Sequence, residues 1–530
     1  MKNLAQVIDD KVTRKHLITL TKYASVLVLL SYSWMFKAIT VPNERTRIYL
    51  SVAIVDHGTV SIDRPVRRFG KTADMAKYDG HLFTDKAPGT GFLGAVVYGF
   101  VRLFSTSDSW NIFSLVNLMR TFLMLPCAML AFFVFRRLLF FLGITSDWVD
   151  MTSFFWILGT SAFHYSTAFY GHQLAAIGFL VSFLFISKSE GEDSAPYKMI
   201  FAGMGCGFSG LMEYQSVIPA FFILVYVIVR RRNLVDIVCF IGGASPFALL
   251  LLGYNASAFD GPFELSYHHL ASKKVQSLHS LGIGGVSFPK KVATIGALFS
   301  LHRGLITTSP LFILIPWGVW RMYSSHSRGI AILIGLIVAY YMMFVFGADA
   351  WYAGWSFGPR LLVPMMGVAM IPVAFAVTHL STKSVWLNGI VVGLGVWGVL
   401  YHQFVHFVFP ELPETAQNPF LDIVLPAISV DTHSPNLLSS ISGAYAWWQI
   451  IPLVCLVVIL LVPTMTSLLK RSKPKGSGLS RIIKFTFSSL VPTILMAAVI
   501  YSVGPKWSEK KTVRFLDWMQ RMSDTELNAE

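Results

Sequence analysis

Apolar residues in this chain come in long blocks, not in the short alternation of a soluble strand or the one-sided stripe of a soluble helix. Blocks fall at residues 17–36, 111–135, 148–165, 172–186, 234–252, 310–320, 330–346, 361–377, 385–401, 448–469 and 482–501. The stretch 198–230 is long enough for two crossings that meet at Glu213. A helical span needs about 20 residues, so the pattern predicts an all-α polytopic membrane protein of about thirteen transmembrane helices.

Charge placement fixes the expected topology. Lys11, Arg14 and Lys15 precede the first block, and Arg136, Arg137, Lys188, Arg230, Arg231, Arg232, Arg321 and the run from Lys470 to Arg481 flank others. Basic residues stay on the cytoplasmic side, so residues 1–16 are expected in the cytoplasm, with a retained signal anchor at 17–36. Polar segments 39–110, 253–309 and about 402–447 then become outer loops. A transmembrane core is then expected over 17–405, and 406–530 holds the third loop, two spans and an outer tail.

Composition narrows the class. Hydrophobic residues make up 54% and charged residues 13% of the 530, about half the charge of soluble domains. Much of the basic excess behind the net charge of +15 sits in short loops, where it reports topology and not nucleic-acid binding. Cys127, Cys206, Cys239 and Cys455 all lie in apolar blocks, with no disulfide or metal spacing. No HExxH, Walker loop or dinucleotide fingerprint is present, so no metal ligand set is expected.

The outer loops carry the unusual polar residues. Asn43 is placed to cap an amphipathic helix that would put Glu44 in its first turn at the membrane surface. Asp79-Gly80 signals a tight turn. Asp85-Lys86-Ala87-Pro88-Gly89 opens an apolar segment, 89–104, too short to span and expected in the interface. His172 and Glu213 lie at span ends. So do Arg303, Trp355 and Arg360, and a cation at a non-cytoplasmic helix end calls for an anionic partner.

These residues resemble the GT-C superfamily of membrane glycosyltransferases, nearest the bacterial branch related to protein O-mannosyltransferases and the lipid A aminoarabinose transferase. The similarity rests on Asn43-Glu44-Arg45-Thr46-Arg47-Ile48-Tyr49, Tyr78-Asp79-Gly80, Thr84-Asp85-Lys86-Ala87-Pro88-Gly89, Phe169-Tyr170-Gly171-His172, Phe299-Ser300-Leu301-His302-Arg303-Gly304 and Ser356-Phe357-Gly358-Pro359-Arg360. It implies a polyprenyl-phosphate sugar as donor, an acceptor glycan, lipid or protein, and a site facing the periplasm or cell exterior from a bacterial inner membrane. Family members carry an Asp-Glu or Asp-Asp pair after the first span, where this chain has Asn43-Glu44. The resemblance implies Glu44 as catalytic base, with Asp85 second. Lys86 stands where the aminoarabinose transferase has the lysine of a Glu-Lys-Pro motif, which implies donor-phosphate binding. Asn43, His172, Glu213, Arg303, Trp355 and Arg360 are the further substrate-binding candidates. A transporter or flippase is the rival class, but the span interiors carry almost no charge beyond Arg120 and Glu213.

Overall fold

A computed structural model describes residues 22–24, 26–32, 41–106, 109–272, 276–277, 285–325, 327–442, 446–471 and 478–527. The expected cytoplasmic segment 1–16 and much of the first block lie outside them.

The described chain is helical apart from one hairpin. In order, its principal helices are α1 (Pro42–His57), α2 (Gly89–Arg102), α3 (Ile112–Phe141), α4 (Ser146–Gly159), α5 (Gly171–Ser189), α6 (Pro196–Met212) and α7 (Val217–Arg231). They continue with α8 (Leu234–Phe259), α9 (Arg328–Gly347), α10 (Val363–Ser381), α11 (Val385–Val408), α12 (Ile451–Arg471), α13 (Gly478–Val503) and α14 (Glu509–Leu527). Among the described residues, eight helices are long and apolar enough to cross a membrane, α3, α5, α7 with its preceding turn, α8, α9, α10, α11 and α13. The expected thirteen is not reproduced. Several blocks fold as shorter helices, such as the 14-residue α4, which stops at Gly159 before an extended Thr160.

Helices α5 and α10 are almost wholly buried at the centre of the bundle. The outer faces of α8 and α13 expose Val235, Val238, Leu249, Ile483, Phe487 and Ile494. Apolar surface of that extent is compatible with lipid and not with water.

Pro42 sets where α1 begins. Its fixed φ is already helical, so Val41 takes the cap position and Asn43 lies inside the first turn. Asn43 is therefore not the N-cap, and its amide oxygen instead accepts from Arg47 Nε at 2.9 Å. The helix closes at Gly58, whose φ of +62° is left-handed. It is not a surface helix either, since Asn43, Glu44 and every residue from Thr46 to Ala53 are buried. Helix α2 covers it. A Cβ on Gly91 would come within 2.6 Å of Leu50, and one on Gly94 within 2.4 Å of Ser51 Oγ, so the two glycines let the backbones approach closely. The other face of α2 exposes Val96 and Phe100, as an interfacial helix would.

Between them, β1 (Ala76–Tyr78) and β2 (His81–Phe83) pair antiparallel. Asp79 and Gly80 make the turn with φ of +45° and +80°, as the sequence predicts. The second loop docks on this hairpin through an Ala76–Leu270 bridge and a bond from Ala271 N–H to the Met75 carbonyl at 2.9 Å.

Candidate active site

Two buried ion pairs organise the residues beside the hairpin. Glu44, fully buried on the first turn of α1, accepts from Arg120 Nε at 3.0 Å and Nη2 at 2.5 Å, and from the Phe169 N–H at 2.8 Å. Arg120 opens a π turn, Arg120–Met124, inside α3. Three residues along α1, Arg47 donates to Glu213 Oε1 at 3.1 Å and to Thr90 Oγ1 at 3.2 Å. Glu213 sits in the extended break between α6 and α7. His172 Nδ1 lies 3.2 Å from the same carboxylate, without hydrogen-bond geometry. Gly171 makes this possible, because a Cβ there would lie 2.4 Å from Glu213 Oε1.

The third group lies at the start of α2. Lys86 Nζ bridges Asp85 at 2.9 Å and Asp74 at 3.1 Å. Burial pushes the Asp85 carboxyl up to about 6, against the pull of Lys86, and its Oδ1 makes no hydrogen bond. Burial works against the Lys86 cation too, but Asp74 and Asp85 outweigh it and raise its pKa. The loop is fixed from behind by Ser266, whose hydroxyl donates to the Asp85 carbonyl at 2.9 Å.

Arg360 completes the arc. Its guanidinium lies 5.7 Å from the Tyr170 ring centroid, and its Nε has no hydrogen-bond partner. Glu213 is pushed up by burial and pulled back by Arg47, Arg360 and Lys86, so these three cations act on one carboxylate. Glu411, from the third loop, accepts from or donates to His164 Nε2 at 3.0 Å. Burial pushes it up to about 7, opposed by Arg360, Arg120 and Arg303.

The remaining candidates lie differently. Arg303 is buried, and its donors reach the Gly354 carbonyl at 2.6 Å, Ser356 Oγ at 3.3 Å and the Leu412 carbonyl at 3.4 Å. Its expected anionic partner is thus replaced by backbone oxygens. Trp355 packs against Phe515 and Trp518 of α14, at 6.5 and 6.1 Å between centroids.

Comparison of the whole fold adds a further observation. No protein-family model and no curated protein matches the sequence. ArnT from Cupriavidus metallidurans bound to undecaprenyl phosphate superposes with a TM-score of 0.50 at 14% identity, over 92% of this chain and 78% of that one. The chain shares its fold with that structure. The oligosaccharyltransferase of Archaeoglobus fulgidus also matches, at a TM-score of 0.45 and 10% identity over 85% of this chain and 64% of that one.

Within this fold, Asn43, Glu44, Asp85, Lys86, His172, Glu213 and Arg360 are joined in one network of hydrogen bonds, ion pairs and electrostatic interactions. Arg47, Asp74, Arg120, His164 and Glu411 belong to the same network without having been singled out as site residues. An arginine inside an apolar span was the available signal for Arg120. Glu411, between Pro410 and Pro413, carries no comparable signal. Among the described residues, no group of three His, Cys, Asp or Glu is placed to hold a metal.

Proposed function

We propose that this chain is a membrane glycosyltransferase that moves a sugar from a polyprenyl-phosphate carrier to an acceptor hydroxyl on the non-cytoplasmic face of a bacterial inner membrane. The observation that carries the proposal is the Asp85–Lys86 pair, a carboxyl with a raised pKa next to a fixed cation, with Arg360 in the same network.

Each part has a chemical role. As the bond between the sugar's anomeric carbon and the phosphate oxygen breaks, charge grows on the departing lipid phosphate. Lys86 and Arg360 stabilise that charge in a poorly hydrated setting, where fixed cations act strongly. Asp85 takes the proton of the acceptor hydroxyl as that oxygen bonds to the anomeric carbon. A base with a pKa near 6 is ionised at neutral pH and still basic enough to accept the proton. Glu44, the carboxylate first implied as base, is instead assigned a positioning role. Its oxygens are taken up by Arg120 and the Phe169 N–H, which leaves Asp85 the better-suited acid. Glu213 and Arg47 hold α1 against the α6–α7 break and fix the floor of the site.

The test is direct. Purified protein is incubated with radiolabelled polyprenyl-phosphate sugars and a membrane extract as acceptor, and released polyprenyl phosphate is measured. Release that requires Asp85 and Lys86 supports the reading. A protein that moves the intact lipid across vesicles without breaking the glycosyl–phosphate bond is a flippase, and the proposal falls.

A further inference from the structure

Two tyrosines flank the charged network and have no part in the roles above. Tyr214 directly follows Glu213, and Tyr267 directly follows Ser266, the residue that holds the Asp85 carbonyl. They come from different loops, yet their rings meet edge to face at 5.6 Å between centroids and 72° between planes. Both are half-buried, so part of each side chain stays accessible. The Tyr214 hydroxyl is buried and lies beside Ser266. Tyr267 lies within electrostatic reach of Lys86, Glu213, Asp85 and Arg47.

Position and chemistry together limit what such a pair recognises. An aromatic ring presents a negative face and a positive edge. A pyranose presents C–H groups of slight positive character on one face and hydroxyls around its rim, so it packs flat on a ring while its rim takes hydrogen bonds. Partners for that rim lie within electrostatic reach of the pair, the carboxylates of Asp85 and Glu213 and the Lys86 cation. A flat apolar ligand would be poorly served by so many charges, and an inorganic anion would have no use for the rings.

We infer that Tyr214 and Tyr267 form the platform on which the donor's sugar ring is held, next to the cations that hold its phosphate. This rests on the glycosyltransferase reading and assigns the sugar half of the donor to specific side chains. The platform also ties the α6–α7 break to the second loop, which in turn bridges to β1 through Leu270.

The experiment compares two ligands on the full-length protein in nanodiscs, undecaprenyl phosphate and undecaprenyl-phosphate glucose. Wild-type protein is expected to bind the glucose-bearing lipid about two- to tenfold more tightly, the range of one favourable aromatic contact. Tyr267→Ala and Tyr214→Ala should erase that preference and leave affinity for the bare lipid unchanged. Tyr267→Phe should keep it, since the ring and not the hydroxyl does the stacking. Thermal unfolding of each variant separates a lost platform from a lost fold. A preference that survives the double alanine variant, or its absence in the wild type, overturns the platform. Failure of the wild type to bind either lipid overturns the glycosyltransferase reading itself.

Discussion

Glu44 and Arg120 meet across 76 positions of sequence, the carboxylate of one accepting both Nε and Nη2 of the other with neither side chain open to solvent. Removing one member of such a pair leaves an uncompensated buried charge, which costs about 3–5 kcal/mol. Glu44→Ala or Arg120→Ala should each lower the thermal midpoint of the detergent-solubilised protein severely. Glu44→Leu combined with Arg120→Met should recover part of the loss. Recovery stays incomplete because the Phe169 N–H loses its acceptor. Stability measured across this double-mutant cycle checks the coupling.

Asp85 gives a pH prediction with a definite sign. Its pKa is raised to about 6, and a general base must be ionised, so transfer should fall about tenfold for each pH unit below 6. Lys86, raised, stays cationic throughout. The same shift means that the folded state takes up this proton more readily than the unfolded chain does. The stability contributed by this group is therefore full at low pH and declines as pH rises from the ordinary carboxylate range to about 6. Rate–pH profiles of wild type and Asp85→Asn read the first effect, because the variant should show no transfer at any pH.

Lys86→Ala should weaken binding of bare undecaprenyl phosphate about ten- to a hundredfold, the worth of a charge-assisted hydrogen bond. Lys86→Arg should retain part of that affinity. Arg360→Ala should act in the same direction. Fluorescence or scintillation binding to the lipid phosphate measures all three.

Gly171→Ala puts a methyl group 2.4 Å from both Glu213 Oε1 and the Met212 carbonyl. Backbone on one side and a doubly engaged carboxylate on the other leave little room to yield, so the Arg47–Glu213 pair should open. We expect a loss of stability of about 1–3 kcal/mol, with activity reduced more than fold content as judged by circular dichroism.

Trp355→Ala should act through packing. Its ring rests on Phe515 and Trp518, so the substitution should make α14 more accessible to protease. Limited proteolysis followed by mass spectrometry of the fragments reads this directly. Affinity for undecaprenyl phosphate should change little.

Reading the sequence recovered what periodicity and turn chemistry control. Among the described residues the apolar blocks became helical, Asp79-Gly80 made its turn, and Glu213 broke the long block at 198–230 into α6 and α7. Two things escaped for physical reasons. Block length does not distinguish a long helix from a shorter one such as α4, and eight long apolar helices among the described residues do not confirm the count of thirteen. Pro42 carries a helical φ of its own and moved the start of α1 two residues earlier, turning Asn43 from a cap into an acceptor for Arg47. The ion pairs were beyond reach of any local pattern, because Arg47 and Glu213 are 166 positions apart. Each charge was visible in the sequence, but its partner was not.

The bonds from Arg303 to the Leu412 carbonyl and from His164 to Glu411 bear on how the protein can be divided. A recombinant fragment ending at residue 405 would keep every apolar block of the central bundle, yet it would strip His164 of its carboxyl neighbour and Arg303 of one of its carbonyls. Such a fragment should insert into membranes and stay catalytically silent, and adding residues 406–530 as a separate polypeptide should restore it if the two pieces find each other.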